Sequence, residues 1–248
     1  MSHFSPFVRR KPRWKHLTIG VGVLALSLLP SLTWTQQAGF PSIYYPAVPA
    51  EKQWQVSVGL IQVTPPKELT EEAWVRAPAF DAHALYGLSP EFALDGRLLS
   101  QFVQNHLSVG GRWAHSMGNF AVGAGYDVAY WFGFLNVGGF DSKAHGWMNY
   151  PSVTVGYKLG DVRLIAKGEA WLDLYQKTSV GDNEVATDGN KLVGGSFTIA
   201  MEQAFYKNTQ LTLGFRGTLT KFHWMTWSLF STFDRYLFYP EIIIGFIL

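Results

Sequence analysis

Residues Val162–Leu174 read VRLIAKGEAWLDL, and alternate positions separate into two unlike faces. One face is Val162, Leu164, Ala166, Gly168, Ala170, Leu172 and Leu174; the other is Arg163, Ile165, Lys167, Glu169, Trp171 and Asp173. A period of two is the signature of a β-strand. Leu211–Leu219 repeats it, with Leu211, Leu213, Phe215 and Leu219 against Thr212, Gly214, Arg216 and Thr218. Phe120–Phe132 does so again, with Phe120, Val122, Tyr126, Val128, Tyr130 and Phe132 against Ala121, Gly123, Asp127 and Ala129. These runs exceed the ~5–6 residues of an ordinary soluble strand. A long strand with one continuous apolar face and one small-or-charged face suits a strand that crosses a membrane.

Ten such segments can be laid out: 53–63, 79–88, 91–102, 105–115, 119–133, 145–158, 161–176, 190–206, 210–224 and 235–248. Their connections alternate in length. Ser89-Pro90, Ser116-Met117-Gly118, Leu159-Gly160 and Lys207-Asn208-Thr209 are short, whereas 64–78, 134–144, 177–189 and 225–234 are long, with Phe102–Asn105 the one exception on that side. Short turns at one end and long loops at the other are the periplasmic and extracellular ends of an outer-membrane barrel. The expected fold is all-β: a transmembrane, antiparallel, up-and-down β-barrel of about ten strands with periplasmic termini. Eight or twelve strands also fit the pattern.

Upstream of the strands, Arg9, Arg10, Lys11, Arg13 and Lys15 precede the apolar stretch Leu17–Leu29, with small residues Thr33 and Thr35 beyond it. That order is a secretory signal peptide. The expected organisation is a leader over 1–35, a strap or tail over 36–51 rich in Tyr, Pro and Ala, and a barrel over 52–248. Without the leader's five bases, 15 Lys and Arg face 18 Asp and Glu, a net charge of −3. That sign disfavours a basic nucleic-acid binder. The chain has no cysteine, so neither disulfides nor thiolate metal sites are available.

The alternation also sorts side chains by depth and face. An outward aromatic girdle near the short turns is expected from Trp54, Tyr86, Phe92, Trp113, Phe120, Tyr157, Phe205 and Phe246. Phe102, Tyr130, Phe132, Trp147 and Trp224 are candidates for the opposite rim. Facing inward are the acids Asp81, Asp95, Asp127, Glu169, Asp173, Glu202 and Glu241. The inward bases are Arg97, Arg112, Lys158, Arg163, Lys167 and Arg216, with His83 and His106 nearby. Nearly balanced charge in a narrow lumen reads as a packed ion-pair network, since clear aqueous channels appear at about 16–18 strands.

With these features the chain resembles bacterial outer-membrane β-barrel proteins. The features that carry the resemblance are the leader, the period-two strands and the closing segment Tyr239–Leu248, in which Ile242, Ile244, Phe246 and Leu248 alternate. The last residue of that class is usually aromatic, and here it is Leu248. The resemblance implies residence in the outer membrane, contact with its lipid and lipopolysaccharide, and handling by the barrel-assembly machinery. Within the class, Asp81-Ala82-His83 is similar to the Asp-His pair of omptin proteases, and His106-Leu107-Ser108 to the His-x-Ser of lipid A deacylases. A second acidic pair is not visible as a motif, and no Glu lies between Glu91 and Glu169 to complete a local triad. The alternation also turns both histidines into the lumen, away from lipid.

The expectation is therefore a non-enzymatic barrel with a largely closed lumen, acting as a structural or interaction protein through its extracellular loops or a partner complex. A narrow pore for ions or small solutes is the first alternative, and an enzyme acting on lipid A or peptides the second. Neither cofactor nor metal is expected: Asp182, Glu184 and Asp188 lack the ligand spacing of a calcium loop and read as a solvated acidic loop. In the first long loop, Thr70 is placed to cap a short helix.

Overall fold

The computed structural model describes residues 42–69, 78–137, 140–181, 183–229 and 235–248. The chain divides into units 1–38 and 39–248, and every described residue belongs to the second. The expected leader, residues 36–41 and the expected cap Thr70 lie outside the described residues.

Eleven strand segments form the wall: β1 (Trp54–Val63), β2 (Pro78–Gly87), β3 (Phe92–Ser100), β4 (Gln104–Met117), β5 (Phe120–Val137), β6 (Phe140–Leu159), β7 (Val162–Val180), β8 (Asn183–Asp188), β9 (Lys191–Tyr206), β10 (Thr209–Thr220) and β11 (Leu237–Ile247). Each is antiparallel to its neighbours, and β1 pairs with both β2 and β11, so the sheet closes on itself. β8 and β9 both pair with β7, one above the other, and together make a single stave. The result is a closed ten-stave antiparallel barrel. Closure removes the free sheet edges that a bilayer cannot solvate.

The side chains divide as the alternation demands. In β11, Phe238, Ile242 and Ile244 are exposed on the outer wall, whereas Tyr239, Glu241 and Ile243 are buried. The apolar belt is therefore the barrel's outside, and burial is reserved for the lumen.

Two strand prolines sit where the ladder ends or lapses. Pro240 sends its carbonyl to the Thr64 N–H at 2.9 Å, so its ring nitrogen faces the place where β1 has already ended. Pro151 falls in a break in the β6–β7 ladder, which lapses between Asn149↔Leu172 and Ser152↔Glu169. Inside that gap Tyr150 and Trp171 meet edge-on, with ring centroids 5.5 Å apart.

The strands are longer than the periodicity indicates on one side of the barrel. Residues 134–144, expected as a loop, continue β5 to Val137 and begin β6 at Phe140. Residues 177–189 likewise extend β7 and supply β8. β4 begins at Gln104, opposite Gly133, so residues 134–137 rise above it as part of a crest built from β5 to β8. Hairpin pairing, such as Asn136↔Asp141 and Val137↔Phe140, carries these residues as strand despite their Gly and polar content. In the opposite sense, the segment expected to run to Trp224 ends at Thr220. There the Thr220 hydroxyl donates to the Phe222 carbonyl at 2.8 Å, and the chain turns into the barrel.

Candidate functional site

The lumen is filled at two depths. At the short-turn end, residues 42–50 run across the mouth inside the wall. Glu202, fully buried, accepts the Ile43 N–H at 3.0 Å and the Tyr44 N–H at 2.7 Å, as well as the Ser42 hydroxyl. Arg112 donates to the Ile43 carbonyl. The Tyr44 hydroxyl receives a hydrogen bond from Arg97 at 2.9 Å, beside the Arg97–Asp81 pair with its two 2.8 Å bonds. Tyr45 lies under two cations, with Arg163 5.3 Å and Lys158 6.0 Å from its ring centre. A side chain at Gly156 would collide with the Tyr45 ring, and one at Gly87 with the Ala50 carbonyl, so the wall is hollowed where the strap runs.

At the long-loop end, the chain after β10 turns inward and forms a short 3-10 helix, Trp224–Leu229. His223, Trp224, Met225, Thr226 and Trp227 are all buried. Gln104 donates to the Met225 carbonyl at 2.6 Å, Trp224 stacks on His106 at 4.9 Å, and His223 packs on Tyr239 at 4.7 Å. Trp224, expected at the outer aromatic rim, is instead 2% exposed inside the lumen, because β10 ends before reaching it.

Between the strap and the Trp224–Leu229 segment lies a polar chamber of about 60 Å³, room for a few waters. Its walls hold two ion-pair clusters. Asp95 is shared by His83 at 2.7 Å and Arg112 at 2.7 Å. Glu169 takes Lys167 at 2.7 Å and the Trp171 indole N–H at 3.1 Å. Asp127, partly buried, lines the chamber beside them. Above, Arg216 meets Glu241 at 3.4 Å, and Glu241 also accepts from Thr218 and lies 3.6 Å from His223. His106 lies 3.0 Å from the Tyr150 hydroxyl.

Of the inward residues expected from sequence, the structure gathers Asp81, His83, Asp95, Arg97, His106, Arg112, Asp127, Lys167, Glu169, Arg216 and Glu241 at or beside the chamber, and Glu202, Arg163 and Lys158 at the strap. Lys158 is exposed at the mouth, and Asp173 is buried higher up, opposite Lys191. Asp81 and His83 each engage a partner on β3, Arg97 and Asp95 respectively. His106 faces Tyr150 and Trp224 rather than a serine. The residues that sequence reasoning missed are Ser42, Tyr44, Tyr45, His223 and Trp227, which belong to segments without periodicity.

On the outer wall, the aromatics expected near the short turns form cross-strand groups. Trp54 meets Tyr86 at 4.8 Å, Phe120 meets Tyr157 at 4.7 Å, and Phe205 meets Phe246 at 5.7 Å; Phe92 is in register with Trp113. Trp113 also donates to Glu91 at 3.0 Å, and His115 lies 2.7 Å from the same carboxylate. The His115 and Trp113 hydrogen bonds hold the exposed Glu91 carboxyl below the usual range. Among the described residues, no group of three or more His, Asp or Glu is placed to hold a metal ion.

A closed antiparallel barrel, apolar outside and ionic within, is the architecture of proteins that span the outer membrane. The fold of the chain is of that class: a closed, antiparallel barrel of the outer-membrane type. Among solved structures it is similar to Neisserial surface protein A, with 11% identity and a TM-score of 0.39, over 79% of this chain and 96% of that one. It is also similar to the translocator domain of the autotransporter NalP from Neisseria meningitidis, at 8% identity and 0.39, over 78% and 87%. Outer membrane phospholipase A from Escherichia coli matches at 14% and 0.36, over 78% and 92%. No family model matches the chain. No curated protein matches it either. Likeness at this level says nothing about role.

Proposed function

We propose that this protein is a closed, non-conducting outer-membrane barrel that acts as a structural or interaction protein through its extracellular face. The observation that supports this reading is the double occupancy of the lumen: the strap at one depth, the Trp224–Leu229 segment at the other, and an ion-paired chamber between them. An ion crossing this path meets buried salt bridges that already satisfy one another and a tryptophan-rich constriction of the kind that excludes water. The crest of β5–β8 is the part that rises toward the exterior and offers itself to a partner. Reconstitution of the full chain in planar bilayers tests the reading. The expected record is a flat baseline with no stable conductance, and steady ohmic channels overturn it.

A further inference from the structure

We infer that the short-turn mouth of the barrel is a peptide-binding seat, occupied in cis by residues 42–50, that accepts an extended tyrosine-bearing segment of a periplasmic partner when its own strap is out. The inference shares the strap with the closed-barrel reading, but its test reads peptide binding rather than current, so either can fail alone.

The contacts are those of a receptor with a bound peptide. They reach the strap's main chain and its tyrosines from several staves: Glu202 on β9 takes two successive N–H groups, Arg112 on β4 gives to the intervening carbonyl, and Arg97 on β3 gives to the Tyr44 hydroxyl. Carboxylate to N–H and guanidinium to carbonyl are charge-assisted bonds, the stronger kind. Glu202 is 0% exposed, and the strap supplies three of its donors. With the strap gone, a buried carboxylate loses them, so the empty seat favours any segment that restores two N–H groups and a hydroxyl.

The strap is also separable from the wall. Among the described residues its β-bridge to a strand is Glu51↔Gly87, beside the Lys52 N–H bond to the Gly87 carbonyl at 2.9 Å, and its other ties to the wall run through side chains. It joins β1 through Lys52, whose φ of 63° is the left-handed conformation of a tight reversal. Release of the strap at that reversal would leave the β1–β11 pairing, which starts at Ser57↔Ile247, untouched. The seat's chemistry defines its ligand: a hydroxyl-bearing residue, two free N–H groups, and two consecutive tyrosines, one for the Asp81–Arg97 pair and one for the Arg163–Lys158 cations.

The test uses the full chain with Ile43→Pro and Tyr44→Pro, which remove both strap N–H donors and leave the seat intact. The probe is an acetylated, fluorescein-tagged peptide of sequence Ser42–Ala50, followed by anisotropy in detergent micelles, with heat-shifted gel migration as the check on folding. Saturable binding is expected to the strap variant, weaker by about tenfold or more to the unaltered chain, a loss of about 1.4 kcal/mol or more. Adding Glu202→Gln to the strap variant is expected to weaken binding by a similar factor. A folded strap variant without saturable binding overturns the inference, as does binding indifferent to Glu202→Gln.

Discussion

The indole of Trp227 occupies the space that a side chain on residue 133 would need. Gly133 lies on β5 facing the lumen, and a Cβ there would collide with the ring nitrogen. Gly133→Val is therefore expected to push the inward segment out of its seat, at a cost of about 1–3 kcal/mol for overpacking. Thermal unfolding and iodide quenching of tryptophan measure it, with a lower midpoint and greater quenching as the expected pair. An unchanged midpoint with unchanged quenching would show that the indole does not depend on that vacancy.

Strap and inward segment obstruct the lumen in series, so opening either alone leaves the path shut. Ile43→Pro with Tyr44→Pro, or Trp224→Ala with Trp227→Ala, is expected to remain silent in planar bilayers. All four substitutions together are expected to give steps of steady current. Conductance from either pair alone would mean that the other barrier is not one.

The Arg216–Glu241 pair is nearly inaccessible to water, at 5% and 1% exposure. Removing one partner strands the other, so Arg216→Met is expected to destabilise by about 3–5 kcal/mol. Arg216→Met combined with Glu241→Leu is expected to cost less than Arg216→Met alone, because no lone charge is left behind. Urea unfolding in detergent distinguishes the two; additive losses would contradict a coupled pair.

His83 and His106 are held by Asp95 and Tyr150 inside the lumen. Alanine at either is expected to lower stability by about 1–3 kcal/mol through the partner left unsatisfied. The lipid A mass spectrum of cells carrying either variant is expected to match that of cells carrying the parent. A change in lipid A that depends on either histidine would revive an enzymatic role.

Pro151 interrupts the β6–β7 ladder where Tyr150 faces Trp171. Pro151→Val restores a donor and suits a strand, and is expected to add about 0.5–1.5 kcal/mol. Slower hydrogen exchange of the Trp171 amide is the local readout. Unaltered exchange would place the cause of the break elsewhere, for instance at the neighbouring bulge between Trp147 and Met148.

The wall was legible in the sequence because a transmembrane strand writes its two environments onto alternate residues. Val162–Leu174 shows how: Leu164 points out and Arg163 in, as the alternation of that run indicates. What fills the wall was not legible. Trp224 looked like another outward aromatic at the end of β10, and nothing local signals that Thr220 stops the strand four residues earlier. Ser42, Tyr44 and Tyr45 carry no period at all, and Glu202, which holds the first two, lies about 160 positions away. The strands over 134–144 and 177–189 were hidden for a related reason: hairpin pairing sustains them without the apolar face that lipid requires.

The staves are unequal. β1 to β3 have 10, 10 and 9 residues, whereas β5 to β7 have 18, 20 and 19. Tilted by ~40°, a ten-residue strand rises about 25 Å, which is barely the apolar height of an outer membrane. β1–β3 therefore just match that height, while β5–β7 extend well beyond it. The barrel thus has a one-sided rim: anything that approaches from the long-strand end meets the β5–β7 flank first, while the ends of β1–β3 lie close to the level at which the apolar belt stops.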